Sequence, residues 1–129
     1  MQEVHITQDI HLGDSVILLR NINYESYQHP IVITDPPWNV NRDYPGFKDK
    51  IPDYERWIDL WFDLLPPKKI IFPGLIHWQK YVKYNPTSLG FWYKRNGQAR
   101  SGNFQWSQGD PILIWNINFN QGNVFDIPV

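Results

Sequence analysis

Short β-branched runs alternate along the chain with stretches whose apolar residues recur every three or four positions. Ile31-Val32-Ile33-Thr34 lies between Pro30 and Asp35 and suits a buried parallel strand. Upstream, Gly13-Asp14-Ser15 precedes Val16, Ile17, Leu18, Leu19 and Ile22, which predicts a helix beginning near an Asp14 cap. Downstream, Asp53 can cap a helix carrying Tyr54, Trp57, Ile58, Trp61, Leu64 and Leu65 on one stripe, until Pro66-Pro67 stops it. That stripe assigns Trp57 and Trp61 to the core. Lys69-Ile70-Ile71-Phe72 reads as a second strand closed by Pro73-Gly74, followed by a weaker helix from Leu75 to Tyr84. Leu89 to Tyr93 and Pro111 to Ile117 complete the strands. The alternation predicts one α/β domain over residues 1–129, with a mostly parallel sheet, flanking helices and right-handed crossovers.

Composition narrows the class. The chain has 129 residues and no cysteine, which excludes a disulfide scaffold, a thiolate metal site and a cysteine nucleophile, and suits a reducing compartment. Aromatic residues make up 16% of it, too many for a disordered tail. His5, His11, His29 and His77 show no ligand spacing, so no metal site is expected. No run approaches the ~18 apolar residues of a membrane span, and Met1-Gln2-Glu3-Val4-His5 lacks a signal-peptide start. A cytoplasmic location without membrane contact is the expectation.

Charge is unevenly distributed. Residues 1–63 hold 11 acids against five bases, whereas no acid lies between Asp63 and Asp110 and seven bases do. Lys68, Lys69, Lys80, Lys83, Lys94, Arg95 and Arg100 are interleaved there with Trp78, Tyr81, Tyr84, Phe91, Trp92, Tyr93 and Trp106. Such a stretch is either a solvated basic face or a surface for phosphates and unstacked bases.

The chemistry concentrates in Asp35-Pro36-Pro37-Trp38-Asn39, directly after the first predicted strand. Ligands of open α/β sheets bind at the carboxyl ends of strands. Two consecutive prolines stiffen the turn and remove two N–H donors, so it presents carbonyls. Asp35 and the Pro36 carbonyl can together accept both hydrogens of an exocyclic amino group, and Trp38 offers a π face to a base.

Asp35-Pro36-Pro37-Trp38 resembles the catalytic motif of the amino-methyltransferases that methylate N6 of adenine or N4 of cytosine. His11-Leu12-Gly13-Asp14-Ser15 resembles the Gly-Asp segment upstream of that motif in the beta-type DNA enzymes, and Tyr54…Trp57 resembles the helix after it. Lys69–Phe72, Phe91-Trp92-Tyr93-Lys94 and Pro111–Trp115 are similar to the next sheet strands, so the likeness covers nearly the whole chain. It implies a partial Rossmann-like methyltransferase fold, S-adenosylmethionine as methyl donor, and an extruded base as acceptor. Asp35, Pro36, Pro37 and Trp38 are then the catalytic residues. Asp14, read either as a helix cap or as a donor contact, joins Asp35 toward the cofactor. Asn39, Tyr44, Lys94, Arg95 and Arg100 are the candidate nucleic-acid contacts, with Tyr44 or Phe47 able to close over the base.

The departure from the family is equally specific. Its glycine-rich donor-binding loop is missing: the glycines at 13, 46, 74, 90, 97, 102, 109 and 122 do not form it. The likeness therefore covers a catalytic half, whose uncovered apolar edge and face call for a second chain or a second copy. Three readings follow. The chain is an adenine-N6 DNA methyltransferase or its catalytic subunit, a counterpart acting on RNA, or a non-catalytic half that binds nucleic acid or an active methylase.

Overall fold

A computed structural model of the chain describes residues 9–93, 99–101, 104–107 and 109–118. Helix α1 (Ser15–Arg20) starts where the sequence places it, because Asp14 Oδ1 accepts the N–H groups of Val16 at 2.8 Å and Ile17 at 3.1 Å. A 3₁₀ turn at Tyr24–Ser26 leads into β1 (Ile31–Thr34). A small hairpin of β2 (Asp43–Tyr44) and β3 (Phe47–Lys48) follows, turning at Pro45-Gly46. Helix α2 (Tyr54–Asp63) is capped by Asp53 and ends before the two prolines. Strand β4 (Lys68–Ile71) comes next. The weak helix predicted from Leu75 to Tyr84 is two single turns, α3 (Gly74–His77) and α4 (Gln79–Val82), broken at Trp78. The remaining strands are β5 (Ser88–Tyr93), β6 (Ala99–Ser101), β7 (Phe104–Ser107) and β8 (Gly109–Trp115).

Four strands form one sheet in the order β1-β4-β8-β5, so the chain is a mixed α/β protein. Strand β1 pairs parallel with β4, whereas β8 runs antiparallel to both β4 and β5. The expectation of a mostly parallel sheet is corrected here: one pair is parallel and two are antiparallel. Strands β1, β4 and β5 nevertheless point the same way, with β8 inserted in reverse. The cause lies in the last connection. Between β5 and β8 the chain makes the β6–β7 hairpin instead of a crossover helix, and a return of that kind delivers an antiparallel neighbour.

The core gathers on one face of the sheet. Ile58, Trp61 and Phe62 of α2 meet Leu65, Ile71, Leu113 and Trp115, with Tyr81 of α4 fully enclosed and Val16, Leu19 and Val32 packed alongside. The α2 stripe read from the sequence is thus the inward one, with Trp61 buried and Trp57 half-buried, stacked on it at 5.5 Å. Burying each large apolar side chain stabilises the fold by about 1.5–3 kcal/mol. The second correction concerns β1. It is an edge strand, and Ile33 is 68% exposed on the face away from the core, so β1 is not the buried strand its composition suggested.

Candidate active site

All four strands of the sheet contribute to one end of it. Asp35 follows the last residue of β1, Phe72 and Gly74 follow β4, Trp92 lies near the end of β5, and Asp110 is the second residue of β8. Together with Trp38 these residues line a cleft of about 160 Å³. Its walls are three aromatic rings and two carboxylates. The sheet end is the carboxyl end of β1, β4 and β5, where an open α/β sheet offers its crevice.

The motif loop is held from several sides. Trp38 Nε1 donates to Asp35 Oδ1 at 2.7 Å, so the ring and the carboxylate fix each other across the turn. The ring also lies against the backbone of Gly74: a Cβ there would come within 2.8 Å of Trp38 Cδ2, and Gly74 has φ +69°. Glycine is required by both contact and conformation. Tyr54 of α2 donates its hydroxyl hydrogen to the Pro37 carbonyl at 2.6 Å, and Tyr81 of α4 stands 3.1 Å behind it.

Asp49 latches the other end of the loop. It is 3% exposed, and its two oxygens accept the N–H groups of Asn39 at 2.9 Å and Val40 at 3.0 Å. Its own carbonyl accepts from Asn41 N, and its N–H donates to the Arg42 carbonyl. Asn39 and Asn41 both take positive φ, +53° and +58°, a conformation asparagine tolerates better than most residues. Asn39 returns the contact, its side-chain oxygen accepting Ile51 N–H at 2.6 Å. The Asn39 backbone carbonyl accepts from His77, whose ring lies 5.2 Å from Tyr54; burial pulls the His77 pKa down despite that bond. Burial likewise pushes the Tyr54 and Tyr81 hydroxyls up, favouring the protonated donors this network uses.

The residues singled out from the sequence divide. Asp35 and Trp38 line the cleft, with buried Pro36 and half-buried Pro37 between them forming the turn. Asp14 is outside the lining, and its carboxylate caps α1. Asn39 is engaged in fastening the loop. Tyr44 is exposed on β2 and is not one of the lining residues. Lys94 and Arg95 lie outside the described residues, as do the side chains of Phe47 and of Arg100, whose backbone is in β6.

The basic stretch also looks different in space. Lys69 is buried with its ammonium 4.0 Å over the Phe62 ring, Lys80 pairs with Glu55, and Lys83 pairs with Asp59 at 2.6 Å. Three of its seven cations thus serve the α2–α4–β4 packing. Sequence reasoning missed Phe72, Gly74, Trp92 and Asp110 as cleft residues, because each carried only a strand or turn signal. Asp49, ten residues beyond Asn39, carried no signal at all. No family model matches the chain, and no curated protein matches it.

Proposed function

We propose that the chain is the catalytic half of an amino-methyltransferase that acts on N6 of adenine in DNA, built on part of a Rossmann-like sheet. The observation that carries this reading is the Asp35-Pro36-Pro37-Trp38 turn at the carboxyl end of β1, open to a cleft of about 160 Å³. An aromatic amine is a poor nucleophile because its lone pair is delocalised into the ring. Hydrogen bonds from its two hydrogens to Asp35 and to the Pro36 carbonyl favour a pyramidal nitrogen with a localised lone pair. Trp38 occupies Asp35 Oδ1, so Oδ2 is the oxygen for the substrate. The base reaches the cleft by leaving the duplex, at a cost of a few kcal/mol. Stacking on Trp38, which is 37% exposed, offsets about 1–3 kcal/mol of that.

S-adenosylmethionine is the donor the motif implies, and the cleft at Asp35 does not by itself accommodate it. A cleft of about 160 Å³ falls below the ~300–1,000 Å³ of pockets for ligands of that size. The reading therefore places the donor site outside this cleft, on residues beyond the described ones or on a second chain or copy, and the cleft residues bind and orient the amino group. Among the described residues β1 is an edge strand ending directly before Asp35, which leaves room for such an addition beside the motif. The same size limit favours, as second reading, a module that binds the base without methyl transfer.

The test uses the complex captured from native cells through a tag on this chain, incubated with S-adenosylmethionine and unmethylated DNA or RNA. Nucleoside mass spectrometry should find N6-methyladenine in the DNA, and none with Asp35→Ala. Methylation confined to RNA moves the substrate. Undiminished methylation by Asp35→Ala removes the proposed chemistry.

A further inference from the structure

Tyr54 and Tyr81 are two enclosed hydroxyls that the readings above leave without a task. Tyr54 is 6% exposed and Tyr81 fully buried, and a core position on α2 or α4 would be filled as well by phenylalanine. A buried hydroxyl costs free energy unless it is bonded. Both are bonded, and the bonds lead to the motif. A phenol carries one hydrogen. Tyr54 spends its hydrogen on the Pro37 carbonyl at 2.6 Å, so in the 3.1 Å contact between the hydroxyls Tyr54 accepts and Tyr81 donates. The chain of donors runs Tyr81 to Tyr54 to Pro37.

It continues through covalent structure. The Pro37 carbonyl belongs to the peptide unit that joins Pro37 to Trp38, so holding that oxygen sets the plane from which Trp38 departs. The Trp38 indole then donates to Asp35 Oδ1 at 2.7 Å, and Gly74 supports its face. Tyr54 also engages the second of the two proline carbonyls, which distinguishes it from Pro36, the one assigned to the amino group.

We propose that Tyr54, oriented by Tyr81, is a positioning residue for amino-group recognition, acting through Pro37 and Trp38 on the direction of the Asp35 carboxylate and the Pro36 carbonyl. The inference rests on the reading of Asp35 and Pro36 as the amino acceptors. It adds that their geometry is set from the buried side, by a two-tyrosine relay between α2 and α4. Its consequence is selective. Removing the Tyr54 hydroxyl loosens recognition of the amino group and leaves the stacking surface in place.

The full chain is titrated with adenosine and with purine riboside, which has the same ring without the amino group. The wild type should prefer adenosine by about tenfold, the worth of a pair of modest hydrogen bonds. Tyr54→Phe should reduce that preference to under about threefold, with purine riboside affinity unchanged. Tyr81→Phe, which removes only the rear donor, should fall between the two, and it carries the test if Tyr54→Phe does not fold. A preference fully retained in both variants overturns the relay, as does an equal weakening of both nucleosides, which would mark a merely structural role. Absence of the preference in the wild type overturns the reading of Asp35 and Pro36 itself, an outcome distinct from the other two.

Discussion

Gly74 and Trp38 constrain each other through a steric limit. A methyl group at Gly74 would meet the indole at 2.8 Å, and φ +69° is unfavourable for any residue with a Cβ. Gly74→Ala should therefore cost about 1–3 kcal/mol and displace the ring from Asp35. Thermal unfolding together with adenosine titration checks this; an unmoved midpoint with unmoved affinity would show that the ring does not depend on Gly74. Asp49 is the second telling residue. Asp49→Ala leaves the N–H groups of Asn39 and Val40 unpaired in a partly buried loop, a loss of about 2–4 kcal/mol measurable by denaturant unfolding. A loss under about 0.5 kcal/mol would mean that water replaces the carboxylate. Asp35 and Trp38 were legible in the sequence because they lie three residues apart in one turn and their chemistry is local. Gly74 and Asp49 were not, since what defines them is contact with residues distant in the chain.

At the scale of elements, local signals carried far. The Asp14 and Asp53 caps, the α2 stripe and the starts of β1 and β4 follow from capping chemistry and periodicity. Strand direction did not, because Ile112, Leu113 and Ile114 would fill a buried strand of either orientation. The β6–β7 hairpin decides it, and nothing in Ile112–Trp115 encodes that return. Part of the basic stretch is neutralised in space for a related reason. A run without acids along the chain still meets Glu55 and Asp59 across space, because α4 packs beside α2. Lys69 yields a pH prediction. Burial pulls its pKa below the ordinary 10.5, and Asp63 only partly opposes this. Between that lowered value and 10.5 the folded chain binds fewer protons than the unfolded one, so stability rises with pH across the interval. Lys69→Met should raise the melting temperature at neutral pH, with an advantage that shrinks as pH approaches about 10.5. An advantage independent of pH would show that the Phe62 contact already offsets the burial of the charge.

At the scale of the whole molecule, the governing feature among the described residues is a sheet with its core on one face and its motif strand at an edge. Ile31 and Ile33 stand exposed on an edge strand that has neither charge nor proline within Ile31–Thr34, the devices by which strand edges are normally protected. The chain should therefore associate with itself as concentration rises, and Ile33→Lys should weaken that association without altering the fold, as read by sedimentation velocity. A concentration-independent monomer would show that the edge needs no cover. Among the described residues no helix is long and apolar enough to cross a membrane. The central claim is that the cleft at the end of β1 receives an amino-bearing base through Asp35. It is tested most directly by titrating the chain with a single-stranded oligonucleotide carrying one adenine, and with the same strand carrying purine at that position, for wild type and Asp35→Ala. The account predicts about a tenfold preference for adenine in the wild type that disappears in Asp35→Ala. Equal affinity of the wild type for both strands, or a preference that survives the substitution, would contradict it.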